Sequence, residues 1–88
     1  MEEKKLDLID QIEQRMILEV KALMEKEPNL LDDPLSGPMR LLINLNESKS
    51  YYRENLITRK NEMDLTKEEI DIITKTAYTR VYEELFDS

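Results

Sequence analysis

Residues 65–85 read LTKEEIDIITKTAYTRVYEEL and carry the clearest structural signal in the sequence. Thr66 followed by Glu69 forms a capping box, in which the hydroxyl and the carboxylate each bond a backbone N–H at a helix start. Leu65 and Ile70 stand where a hydrophobic staple requires apolar side chains. The spacing predicts a helix over residues 67–86, because apolar residues recur every three or four positions. These residues are Ile70, Ile73, Ala77, Tyr78, Val81 and Leu85.

Two further amphipathic segments precede this helix. The first predicts a helix over about residues 4–26. Pro28 ends this helix, because proline disfavours helix in the residue before it. The second predicts a helix over about residues 38–61. Apolar stripes define both, namely Leu6, Ile9, Ile12, Met16, Val20 and Leu23 in the first and Leu41, Leu42, Leu45, Tyr52 and Leu56 in the second. The middle of the second segment is polar and has low helix propensity. We expect one continuous helix, with a break near Asn46 as the alternative.

The connection between the first two helices is rich in turn and cap residues. Pro38 suits the first turn of the second helix. The alternative start uses Asp33 as the cap and Pro34 in the first turn, which gives a short extra turn before Gly37. Three leucines in the connection are expected to cover the open end of the fold, namely Leu30, Leu31 and Leu35.

Length and composition limit the possible folds and functions. Eighty-eight residues predict a single helical domain over 1–88, and short connections favour an all-α, antiparallel three-helix bundle. The sequence has no Cys and no His, which excludes disulfides, imidazole catalysis and ordinary zinc sites. One Gly is too few for a phosphate-binding loop. We therefore predict no catalytic, cofactor-binding or metal-binding residues, and expect the chain not to be an enzyme.

No apolar run approaches the ~20 residues needed to span a bilayer, and no secretory signal pattern is present. We accordingly expect a cytoplasmic protein without membrane contact. The abundance of Ile, Lys, Asn and Glu, with two Ala, is typical of bacterial or phage genes rich in AT.

The net charge of −7 is unevenly distributed. Residues 1–33 hold ten acidic and five basic residues, residues 34–61 hold two and five, and residues 62–88 hold eight and three. A basic middle helix between two acidic ones favours internal charge pairing. Direct nucleic-acid binding is not expected, because the field of the whole chain repels phosphate. Alternatively, the acidic outer helices mimic nucleic acid and inhibit a protein with a basic groove.

Apolar residues outside the core stripes predict a partner surface. Met39, Ile43 and Ile57 point roughly 100–150° away from the stripe of the second helix and align with one another if that helix is continuous. Polar and aromatic neighbours form the rim, as in ordinary protein interfaces. The predicted contact residues are Met39, Ile43, Ile57, Tyr51, Arg53 and Lys60. They favour a small protein-binding module, such as a regulator, adaptor or inhibitor, whose partner is another protein.

Two other functions are alternatives to a protein-binding module. The chain could form a homodimer with a structural or assembly role through the same face of the second helix. An enzymatic function requires cationic side chains that point inward between the helices, and the candidates are Lys5, Lys49 and Arg59.

Overall fold

The computed structural model describes residues 3–86, which are all-α with no strand among them. The helices are α1 (Glu3–Lys26), α2 (Ser36–Thr58), α3 (Lys60–Met63) and α4 (Lys67–Phe86), and a 3-10 turn spans Leu30–Asp32. The prediction of an all-α fold is confirmed. Within the described range, none of the helices has the length and apolarity that a bilayer crossing demands. The predicted domain of 1–88 also includes residues 1, 2, 87 and 88, which lie outside the described residues.

Apolar side chains from the three long helices meet in one core. Helix α4 packs against both α1 and α2. Its inward side contributes four apolar residues with no exposed surface, namely Ile70, Ile73, Ala77 and Val81. Thr74 is buried on the same side, and its hydroxyl donates to the carbonyl of Ile70 over 3.0 Å. This bond lets a polar side chain occupy the core without an unpaired donor.

The capping box forms as predicted. The N–H of Thr66 donates to Glu69 Oε1 at 2.9 Å, and the N–H of Glu69 donates to Thr66 Oγ1 at 3.1 Å. Leu65 and Ile70 are both buried beside it. Glu69 also pairs with Lys5, which joins the start of α4 to the start of α1.

Helix α2 begins at Ser36, two residues before the predicted start at 38. Asp33 Oδ1 accepts hydrogen bonds from the backbone N–H groups of Leu35, at 2.9 Å, and Ser36, at 3.2 Å. The N–H of Gly37 donates to the carbonyl of Asp33 at 3.0 Å. Asp33 therefore bonds the backbone just before the helix, as in the alternative start, but the helix itself begins at Ser36, between the two predicted starts.

Leu30 anchors the connection to the core, while Leu31 and Leu35 remain exposed. The expectation that all three leucines cover the end of the fold is therefore wrong for two of them. Gly37 lies so close to the 3-10 turn that a Cβ on it would be 2.2 Å from the carbonyl oxygen of Leu30. The absence of a side chain at Gly37 thus allows the turn to seat Leu30.

Helix α2 runs without a break through Asn46, whose side-chain amide donates to the carbonyl of Leu42 at 3.0 Å. Its end differs from the predicted bounds of 38–61, because the helix stops at Thr58. The N–H of Arg59 is shared between two preceding carbonyls, and the chain turns there into α3. Asp64 ends α3 with a left-handed backbone, at φ 55°.

Candidate functional site

The outward side of α2 carries an apolar stripe at its N-terminal end. Leu35, Met39 and Ile43 are 81%, 61% and 54% exposed. They are spaced four residues apart, and the backbone of Leu35 already has right-handed helical angles. Side chains at this spacing lie one above another on a helix. We call these three residues the outer patch.

Ile57 does not extend the outer patch. Its side chain is half-buried and packs against the core, whereas the sequence predicted that it faces outward with Met39 and Ile43. Directly after Thr58 the chain turns into α3, which lies against α2. The prediction that Ile57 faces outward is wrong, because its side chain packs against the core of the fold.

The predicted rim residues lie in three different places. Tyr51 is exposed, and its ring meets that of Tyr52 edge to face with centroids 5.2 Å apart. Arg53 is turned towards α4, where its Nε lies 2.6 Å from Asp71 Oδ1. This carboxylate raises the pKa of the Arg53 guanidinium. Lys60 lies in α3 and not in α2. Tyr51 is thus the one rim residue left exposed on α2.

A groove of about 450 Å³ runs between the second half of α1 and the middle of α2. Its lining residues are Glu19, Ala22, Leu23, Lys26, Asn44, Glu47, Ser48 and Tyr51. A smaller extension of the groove, of about 190 Å³, is bordered by Ile43, which joins it to the outer patch. The side-chain oxygen of Asn44 is buried here and accepts no hydrogen bond from residues 3–86. An unpaired buried acceptor favours an incoming donor.

A polar network holds the floor of this groove. Glu19 of α1 accepts hydrogen bonds from the hydroxyl of Ser48, at 2.6 Å, and from that of Tyr52, at 3.2 Å. Burial and the neighbouring Glu19 raise the pKa of the Tyr52 phenol. Tyr52 therefore stays a protonated donor at neutral pH. The network explains why Ser48 occupies a core position in α2, where the periodicity requires an apolar residue.

Ion pairs connect the basic α2 to its acidic neighbours. Arg40 donates from both terminal nitrogens to the two carboxylate oxygens of Glu27, which links the end of α1 to α2. The bonds to Arg40 lower the pKa of Glu27. Arg53 makes the corresponding link to α4 through Asp71. These two pairs agree with internal pairing as the reason for the uneven charge distribution.

A second pocket, of about 260 Å³, lies at the other end of the seam between α1 and α2. Its lining residues are Leu8, Gln11, Ile12, Arg15, Tyr52, Asn55, Leu56, Arg59 and Met63. Sequence reasoning missed Arg15 here. A signal for it existed, because Leu8, Gln11 and Arg15 follow one another at helical spacing, as Asn55 and Arg59 do.

The three cations suggested for an enzymatic site do not share one cavity. Lys5 pairs with Glu69. The Nζ of Lys49 lies 4.6 Å from the ring centre of Tyr78, a cation–π contact. Arg59 alone of the three lines the second pocket.

No family model matches this sequence, and neither a curated protein nor a solved structure shows significant similarity to it. Its function must therefore be inferred from the outer patch, the groove and the second pocket themselves.

Proposed function

We propose that the chain is a non-enzymatic binding module that docks a partner protein on the outer patch of α2, as a regulator, adaptor or inhibitor. The observation that carries this proposal is the aligned exposure of Leu35, Met39 and Ile43. Full burial of a side chain of this kind is worth about 1.5–3 kcal/mol. Apolar residues that merge into a surface patch are typical of interaction sites, whereas single exposed ones are ordinary.

The charges around the outer patch indicate the chemistry of the partner. Exposed Asp32 and Asp33 precede the patch, and exposed Glu47 follows Ile43 by one helical turn. Hydrogen bonds from Ser36 and Leu35 lower the pKa of Asp33, so this carboxylate remains charged well below neutral pH. We therefore infer a partner with an apolar helix or groove bordered by Lys or Arg. The net charge of −7 would also accelerate the approach of such a surface.

The same charges argue against a second copy of the chain as the occupant. A symmetric interface brings identical surfaces together, so the acidic borders of two outer patches would face each other. A standard interface involves about 20–30 residues a side, and the patch would form only its centre. Like charges around that centre oppose self-association and leave a basic partner favoured.

We further propose that α1, α2 and α4 form the antiparallel three-helix scaffold expected from the short connections. Lys5 pairs with Glu69 and Asp10 with Arg80, contacts that support a common direction for α1 and α4. The pairing of Arg53 with Asp71, together with the approach of Lys49 to Tyr78, supports the opposite direction for α2. In this arrangement the outer patch lies on a helix that contacts both of the other long helices.

Two equally exposed isoleucines allow a matched test. Ile43 lies in the outer patch, and Ile72 lies on α4, with exposures of 54% and 53%. A photo-reactive benzoylphenylalanine at Met39 would first identify the partner. Titration calorimetry with the purified partner would then compare the wild type with Ile43→Asp and Ile72→Asp. We expect Ile43→Asp to abolish binding and Ile72→Asp to retain it, with both variants as helical as the wild type by circular dichroism.

Salt and oligomeric state complete the test. A partner whose apolar surface is bordered by Lys or Arg should bind more weakly as ionic strength rises, because salt screens exposed charges. Equal binding by the two aspartate variants would contradict the assignment of the surface. A crosslinked product of twice the chain mass, together with a dimer by light scattering that Ile43→Asp dissociates, would replace the partner protein with a second copy.

A further inference from the structure

The second pocket is lined by positively charged side chains, although the chain as a whole is negatively charged. Two arginines and two side-chain amides stand among its lining residues, and no carboxylate does. Within residues 3–86, no carboxylate lies within 4.0 Å of the Arg15 guanidinium, and Arg59 reaches Glu62 only at 3.8 Å. In a chain with net charge −7, this pocket is a local site of positive charge.

Apolar side chains form the floor beneath these cations. Ile12, Tyr52 and Leu56 are buried, and Leu8 and Met63 are half-buried beside them. The hydroxyl of Tyr52 donates its proton to Glu19, so it is not available as a donor to a ligand, and the ring adds apolar surface to the pocket. A floor without free polar groups below a cationic border suits a molecule with one apolar part and one anionic part.

We infer that this pocket binds a small carboxylate with an apolar body, held by Arg15 and Arg59. Guanidinium groups bind carboxylates through paired N–H bonds, and Gln11 and Asn55 lie one helical turn before the two arginines with further amide donors. The volume of about 260 Å³ is slightly below the usual range for ligand pockets, which limits the occupant to a small molecule. The site is distinct from the outer patch and does not depend on the proposed function.

Nuclear magnetic resonance with three probes tests this assignment. The ¹⁵N-labelled chain is titrated at pH 7 with phenylacetate, with uncharged phenylacetamide and with inorganic phosphate. We expect phenylacetate to shift the backbone amides of residues 8–15 and 52–63 with a Kd on the order of 1 mM, as suits a ligand of this size. Loss of the charge in phenylacetamide should weaken binding by about 10-fold or more.

Three charge-removing variants locate the binding site. Arg15 and Arg59 are exposed, so Arg15→Gln and Arg59→Gln should fold normally, and each should weaken phenylacetate binding by about 10-fold. Lys21→Gln removes the same charge from an exposed position of α1 outside the pocket and should leave the Kd within about 2-fold, since the charge is screened.

Several results would overturn the inference. They are equal affinity for the acid and its amide, shifts confined to other parts of the chain, or equal losses in Lys21→Gln and Arg15→Gln. Phosphate binding as tight as that of phenylacetate at the same amides would also overturn it, because the apolar floor would then contribute nothing. A failure of the outer-patch experiment has no bearing on these outcomes, since Arg15→Gln leaves α2 unchanged.

Discussion

Replacement of Gly37 by Ala should destabilise the chain, although helix propensity alone predicts the opposite. In a helix interior, Ala is favoured over Gly by about 1 kcal/mol, and this value is an upper limit for Gly37, which lies in the first turn of α2. A Cβ at residue 37 would lie 2.2 Å from the carbonyl oxygen of Leu30, whereas carbon and oxygen normally approach no closer than about 3.3 Å. The 3-10 turn must therefore move away by about 1 Å.

The magnitude follows from what the turn carries. Leu30 is buried in the core, and its expulsion would cost about 1.5–3 kcal/mol. Subtraction of this largest possible propensity gain leaves a net loss of stability of at least about 0.5–2 kcal/mol. For a chain of this length, each 1 kcal/mol lowers the Tm by about 4–8 °C. Gly37→Ala should thus melt several degrees below the wild type.

Thermal unfolding followed by circular dichroism at 222 nm measures this effect. Ser50→Ala is the matched control, because Ser50 is exposed in the interior of α2 and the change should raise the Tm slightly through propensity. A double-mutant cycle with Leu30→Ala identifies the source. Once the leucine is absent, the cost of Gly37→Ala should largely disappear. A Gly37→Ala chain as stable as the wild type would refute the reasoning.

Three further predictions concern α4. Ile73→Ala should lower the free energy of unfolding by about 2–5 kcal/mol, because Ile73 has no exposed surface. Ile72→Ala, at the exposed neighbouring residue, should change it by less than about 0.5 kcal/mol. Urea unfolding of both variants measures the two changes. Thr66→Ala removes the cap and should cost about 1 kcal/mol in the same assay, and an unchanged midpoint would show that the cap bond contributes nothing. Lys5 and then the N–H of Thr66 lower the pKa of Glu69 from 4.5 to about 2. Because the folded-state pKa is depressed, Glu69 stabilises the fold fully above pH 4.5 and loses that contribution as the pH falls towards 2. The Tm difference between wild type and Glu69→Gln should shrink over this interval, and a difference independent of pH would contradict the assignment.

Local features of the sequence were sufficient to predict the long helices. The capping box at Thr66 and Glu69 involves groups three residues apart, so it does not depend on the rest of the fold. The continuity of α2 through Asn46 was also expected, and the side chain of Asn46 bonds within its own helix. Predictions of this kind succeed because the interacting groups lie within one helical turn.

Features that depend on contacts between different segments of the chain were harder to predict from the sequence. Periodicity gives the position of Ile57 around α2, but it does not show that the side chain packs against the core. The end of α2 at Thr58 is marked by no Pro or Gly, and the left-handed residue that follows α3 is Asp64. The joint position of Arg15 and Arg59 requires the relative alignment of α1 and α2, which a single sequence does not contain.

The deep burial of α4 has a consequence for biosynthesis. Its side chains Ile70, Ile73, Ala77 and Val81 fill the space between α1 and α2, yet the ribosome makes them after both of those helices. Until they emerge, the nascent chain displays the apolar stripes of α1 and α2 without their covering partner. The core therefore forms only after α4 has been made, and a chain truncated before Lys67 should be a substrate for chaperones and proteases.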